Sequence, residues 1–167
     1  MADKKKIVMV DDEPDLCLLV KDNLEGTGEF DVITISEPQG ALELCRREQP
    51  NLILLDIVMP KIKGTDLVRM MRGVAETKKI PIVIISGLGE IVYFRKKGTW
   101  RWLPNRPVVL SRGEVIHEKD AERAAAAYKV EGYITKPFTT EGLLEVIRDV
   151  LKRCEAAPEE DGDAGIL

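Results

Sequence analysis

The sequence predicts an α/β domain: a doubly wound, five-stranded parallel sheet with helices on both faces. Three observations carry this. Five short apolar runs (6–10, 30–35, 51–55, 80–85 and 132–135) alternate with segments of helical periodicity. One of them, NLILL (51–55), is continuously apolar, as expected of a parallel strand covered on both sides. The length of 167 residues suits one domain, which at this size hides roughly two-thirds of its unfolded surface.

KIVMV (6–10) reads as the first strand, and the helix after DDEP carries Leu16, Leu19, Val20 and Leu24, with Pro14 in its first turn. EGTGE ends that helix, and FDVITI (30–35) is the second strand. Ser36 is a candidate cap for the next helix, whose inward face holds Ala41, Leu42 and Cys45. NLILL is the third strand, and Gly64 opens a helix with Leu67, Val68, Met70 and Met71 at helical spacing. IPIVII (80–85) is the fourth strand, 118–130 is helical on propensity, GYIT (132–135) is the fifth strand, and 139–154 is the last helix. All these elements make one domain over 1–154, with an excursion at about 88–117 and an acidic, disordered tail over 155–167.

The formal net charge of -4 argues against a protein built mainly to bind nucleic acid. No apolar run approaches the ~20 residues of a membrane span, and the N-terminus lacks the pattern of a signal peptide. Cys17, Cys45 and Cys154 are odd in number and widely spaced, which predicts buried, reduced thiols on helices and a cytoplasmic setting.

Right-handed crossovers bring every strand-to-helix turn to one edge of such a sheet, where ligands bind. Asp11 and Asp12 follow the first strand, Asp56 ends the third, Ser86 ends the fourth and Lys136 ends the fifth. Clustered carboxylates repel unless a cation joins them, and Mg2+ suits a site of few carboxylates plus water and a phosphoryl oxygen. Asp56, alone at its strand tip, is the candidate nucleophile. Lys136 would neutralise developing charge, and Ser86 would hydrogen-bond a phosphoryl oxygen. Taken singly, a DD pair also reads as a helix cap and KP as a turn; the convergence of all five groups separates the readings.

VDDEP, LLDIVMPKIKG, IIS and GYITKPF together resemble the receiver domains of two-component response regulators, of which the chemotaxis regulator is the simplest. The resemblance covers about 5–87 and 118–154, and DxxMPxxxG with KPF is its specific part. It implies the flavodoxin-like strand order 2-1-3-4-5. It also implies that Asp56 accepts phosphate from a histidine kinase or phosphotransfer protein. Asp12, Asp56 and the Val58 backbone carbonyl would bind Mg2+ directly, Asp11 largely through water. Lys136 would pair with the phosphate, Ser86 would move to it, and Tyr133 occupies the place of an aromatic that turns inward on activation. Val58 and Leu88 would flank the path of the attacking water, which two apolar side chains cannot orient, so slow self-dephosphorylation is expected.

From Ser86 to Lys136 is 50 positions, more than twice what the resemblance implies. The excess, about 88–117, has six basic residues (Arg95, Lys96, Lys97, Arg101, Arg106, Arg112) and two acids (Glu90, Glu114). Its net charge is therefore +4 and that of the remainder -8. IVYFR–KKG–TWRW and PVVL–SRG–EVI each read as a hairpin. Four uses remain open: a passive loop, a lid over Asp56, a nucleic-acid surface, or a docking or self-association surface using Tyr93, Trp100, Arg101 and Trp102. His117, the one histidine, reads as a solvated residue near a helix start.

The function expected is thus a phosphorylation-activated switch, not an enzyme beyond its own phosphotransfer and dephosphorylation. The chain ends soon after the last helix, so output by contact with a downstream protein, or as a homodimer, is expected rather than through a fused DNA-binding domain. A receiver cut from a longer protein would read the same. Two alternatives differ in class. A scaffold binding partners independently of phosphorylation would not need the full set of acids. An aspartyl-phosphate phosphatase would need an acid where Val58 stands.

Overall fold

The computed structural model describes residues 3–86, 92–96, 99–102 and 130–156. In order these form β1 (Lys5–Val10), α1 (Pro14–Glu25), β2 (Phe30–Ile35), a 3-10 turn (Pro38–Gly40), α2 (Ala41–Glu48), β3 (Leu52–Asp56) and α3 (Gly64–Arg72). Then follow β4 (Ile82–Ser86), β5 (Val92–Lys96), β6 (Thr99–Trp102), β7 (Gly132–Thr135) and α4 (Thr140–Ala156). The helix expected at 118–130, the second hairpin and the tail from 157 onward lie outside the described residues.

One sheet runs in the order β2-β1-β3-β4-β7-β5-β6. Its first five members are parallel and are the expected sheet of order 2-1-3-4-5. Alternate side chains divide between two cores, the period-2 consequence of strand geometry. Ile7, Met9, Leu52, Leu54, Val83 and Ile85 meet α1 and α4 on one face. Val8, Val10, Ile53, Leu55, Ile82 and Ile84 meet α2 and α3 on the other. The central strands are apolar throughout because neither face sees water.

Several local expectations change. Ser36 does not cap α2: Pro38 opens a 3-10 turn, α2 begins at Ala41, and its N-cap position, Gly40, has no side-chain cap bond. β4 begins at Ile82 rather than Ile80, since Pro81 has no N–H for the ladder, although its carbonyl accepts Ile53 N–H at 2.9 Å. Met70 is 45% exposed while Leu67, Val68 and Met71 are buried. Cys17 and Cys45 are buried, and burial pushes their thiols up to about 11 and about 12, but Cys154, in the last turn of α4 beyond its last buried residue Leu151, is exposed.

The first predicted hairpin is present, and β5 joins the sheet antiparallel to β7 with Tyr93 opposite Tyr133 and Val92 opposite Ile134. The fifth parallel strand is therefore an interior strand of a seven-stranded sheet.

At the other end of the strands, away from the acids, Glu131 ties four elements together. Its Oε2 accepts Ile82 N–H at 2.7 Å and the Arg72 guanidinium at 2.9 Å, and its carbonyl accepts Arg153 at 3.0 Å. Burial raises the Glu131 carboxyl above its usual range, and Arg72 and the Ile82 N–H oppose this without cancelling it. A raised folded pKa means the native state gains stability as the carboxyl protonates, and loses it as pH rises through that pKa. Chemical denaturation from pH 7 to about 4 should therefore show the wild type gaining stability relative to Glu131→Gln as pH falls. A difference that stays flat would contradict the assignment.

Candidate functional site

β1 and β3 are adjacent and parallel, so their carboxyl ends deliver Asp11 and Asp56 side by side. Asp11 is fully buried and Asp56 is 3% exposed. Both use one carboxylate oxygen to shape their own loop: Asp11 Oδ1 accepts Glu13 N–H at 2.9 Å, and Asp56 Oδ1 accepts Val58 N–H at 3.1 Å. Each is a short side-chain-to-backbone turn of the kind Asp favours. The remaining oxygens are left for the site. With Asp12, the three acids bring carboxylate oxygens within 4.8 Å of one another.

Lys136, the residue after β7, reaches into this cluster. Its Nζ lies 2.9 Å from Asp11 Oδ2, 2.7 Å from Glu13 Oε1 and 3.5 Å from Asp56 Oδ2. Burial works to lower the Lys136 ammonium, but its acidic neighbours, Glu13 foremost, more than offset that and hold it well above the usual range. Asp56 is shifted upward, by burial first and by the charges of Asp11 and Asp12; the Val58 N–H and Lys136 act in the opposite direction. Asp11 Oδ2 is buried and accepts no hydrogen bond, so its 2.9 Å approach to Lys136 is a charge contact without hydrogen-bond alignment. A buried, unaligned carboxylate oxygen among clustered acids fits a hard divalent cation such as Mg2+.

Ser86 is the last residue of β4 and pairs with Thr135, the neighbour of Lys136. Val58 follows Asp56 on the same loop and is 57% exposed. Tyr133 lies in β7, partly buried against the core of Val8 and Val10. Tyr93, Trp100, Arg101 and Trp102 belong to the hairpin, opposite Trp102, Arg95, Phe94 and Tyr93 respectively. The described structure thus unites Asp11, Asp12, Asp56 and Lys136, and places Ser86 at the adjoining strand end.

One contributor escaped the sequence reading, and a second, Gly64, was placed by it without the reason for its glycine. Glu13 partners Lys136, and its only signal was a third acid directly after Asp11 and Asp12. Gly64 does more than open α3: its N–H donates to Ile57 O at 3.0 Å, folding the Asp56 loop onto the helix start. A Cβ there would lie 2.3 Å from Asp56 O and 2.6 Å from Ile57 Cα.

A parallel sheet of order 2-1-3-4-5, with acids closing its first and third strands and a lysine closing its fifth, defines the chemotaxis-regulator-like class of flavodoxin fold. The response regulator receiver domain model matches residues 7–98, more than half of the 167 residues, and the chain belongs to that family. It is 27% identical over 166 residues to a probable transcriptional regulator, ycf27, of Porphyridium aerugineum, covering 98% of this chain and 56% of the relative. It is 28% identical over 158 residues to the alkaline phosphatase synthesis transcriptional regulatory protein PhoP of Bacillus subtilis strain 168, covering 94% of this chain and 53% of the relative. The chain spans about half the length of these curated relatives. In fold it is similar to a chemotaxis-regulator-like receiver from Methanospirillum hungatei, with a TM-score of 0.66 at 21% identity over 92% of this chain and 98% of that one.

Gly64→Ala should lower the unfolding free energy by about 1–3 kcal/mol, the usual cost of forcing atoms into packed space. Backbone, not a flexible side chain, is what the new methyl meets. An unchanged melting temperature would contradict the close approach.

Proposed function

We propose that this receiver is a phosphorylation-activated signalling switch whose phosphoacceptor is Asp56. The observation that carries the reading is the carboxylate at a buried strand tip, with Asp11 and Asp12 at 4.8 Å or less and Lys136 within 3.5 Å. Asp56 Oδ1 is held by the Val58 N–H, which leaves Oδ2, on the Lys136 side, as the attacking atom. In the reaction Oδ2 attacks phosphorus of a phosphohistidine; an O–P bond forms, the N–P bond breaks, and the imidazole nitrogen keeps the bonding pair. Asp11, Asp12, Asp56 and the Val58 carbonyl would hold Mg2+, which supplies positive charge to the transferring group. The ammonium of Lys136 supplies the rest from the β7 side, and Ser86, at the end of β4, would take a phosphoryl oxygen.

A protein donor fits the surroundings. Beside Lys136 lies a groove of about 280 Å3 lined by Leu16, Leu19, Phe138 and Leu143 among others. Leu18 and Leu19 of α1 are 57% and 58% exposed. Apolar surface next to a phosphoacceptor suits a histidine kinase or phosphotransfer protein that must deliver its imidazole there. Output by contact with a downstream protein, or by self-association, is supported by the hairpin added to β7, which carries Tyr93, Trp100, Arg101 and Trp102. The division into a receiver over 1–154, an insertion at about 88–117 and a tail over 155–167 belongs to this proposal; α4 itself ends at Ala156. So does the cytoplasmic setting; among the described residues no helix is long and apolar enough to cross a membrane.

Incubation with acetyl phosphate and Mg2+ should add one phosphoryl group, mapped by mass spectrometry to Asp56 and lost in Asp56→Asn. Labelling that survives in Asp56→Asn would refute the assignment. Val58 is exposed beside the acceptor and cannot orient water. Val58→Asn should therefore shorten the phosphoryl lifetime about fivefold, the worth of one hydrogen bond. A decay rate equal to wild type would show that water is positioned elsewhere.

A further inference from the structure

Glu13 is the residue at the N-cap of α1, with extended backbone (φ -96, ψ 96), and its side chain makes no cap bond. An N-cap side-chain acceptor normally satisfies a free N–H of the first turn, worth roughly 1 kcal/mol. Here the carboxylate is turned the other way, onto Lys136 at 2.7 Å. Among the described residues it makes the shortest of the three carboxylate contacts of that ammonium; Asp56, the acceptor, makes the longest at 3.5 Å. The backbone of Glu13 is pinned on both sides, its N–H by Asp11 Oδ1 and its carbonyl by Cys17 N–H. The side chain of Glu13 is 62% exposed and that of Lys136 only 18%, so Glu13 covers the ammonium from the solvent side.

We propose that Glu13 is a positioning residue: its carboxylate competes with Asp56, and with any phosphoryl group Asp56 carries, for the Lys136 ammonium. The inference rests on the receiver reading above and adds to it a residue that sets how readily the site takes up an anion. An anion at Asp56 must draw Lys136 from Glu13, and must do so beside Glu13's own negative charge. The arrangement restrains the site, and a neutral residue at 13 releases Lys136 toward Asp56.

The test is calorimetric titration of the full chain with beryllofluoride, a stand-in for the phosphoryl group, at saturating Mg2+. Glu13→Gln should bind about two- to fivefold more tightly than wild type, the scale of a partly exposed ion pair. Glu13→Ala, measured alongside, guards against a change peculiar to the amide. Asp15→Asn removes the same charge from the exposed first turn of α1, where Asp15 makes no described ion pair with Lys136, and should leave binding unchanged. Equal tightening in Asp15→Asn would reduce the effect to general field and overturn the proposal, as would unchanged or weaker binding in both Glu13 variants. Failure of wild type to bind at all would overturn the receiver reading itself, and the inference with it.

Discussion

Four carboxylates, Asp11, Asp12, Glu13 and Asp56, crowd the carboxyl edge of the sheet, and three of them, Asp11, Glu13 and Asp56, contact the ammonium of Lys136. Fully ionised, they leave three negative charges that Lys136 does not neutralise. Two unit charges 4.8 Å apart repel by roughly 3–4 kcal/mol at an effective dielectric of about 20, and there are three such pairs among the aspartates alone. Lys136 and the Glu13 and Val58 N–H groups relieve only part of this, and Asp11 Oδ2 is buried without an aligned hydrogen bond. The surrounding structure exists to hold that unfavourable arrangement still. A cation and a phosphoryl group can then be bound by groups already in place, with no cost of reorganisation.

The restraint comes from both ends of each loop. Parallel pairing of β1 with β3 and of β4 with β7 fixes where the acids, Ser86 and Lys136 leave the sheet. Asp11 and Asp56 then brace their own turns with one oxygen each, and Gly64 lets α3 start against the Asp56 carbonyl. At the opposite end Glu131 and Arg72 join the starts of β4 and β7 to α3, so the two strands that carry Ser86 and Lys136 are anchored together. The hairpin of β5 and β6 enters this frame through β7, opposite Tyr133 and three residues before Lys136. The part that distinguishes this receiver is therefore built onto the strand that carries the site's cation.

Much of this was readable in the sequence because short, continuously apolar runs such as LILLD, bounded by polar residues, alternate with period-3.6 segments such as 140–156. The acids and Lys136 were readable because each is the first polar group after an apolar strand. What escaped depends on side-chain reach or on backbone detail. Ser36 looked like a cap until Pro38 interposed a 3-10 turn. Glu13 drew no reading of its own in the sequence, and only its three-dimensional distance to Lys136, 123 positions away, shows its part. The necessity of glycine at 64 lies in a backbone approach that no periodicity encodes. The hairpin was legible as two alternating runs, but its partner was not, since antiparallel addition to β7 is a choice of sheet edge rather than of local pattern.

The central claim is that the buried acids are arranged to share a divalent cation. Calorimetric titration of the full chain with Mg2+ tests it most directly, in wild type, Asp12→Asn and Asp56→Asn. The account predicts a single site in the wild type, weakened by about tenfold or more in each variant, the scale of losing one charged ligand. Mg2+ binding of the same strength in Asp56→Asn, or none in the wild type, would contradict it.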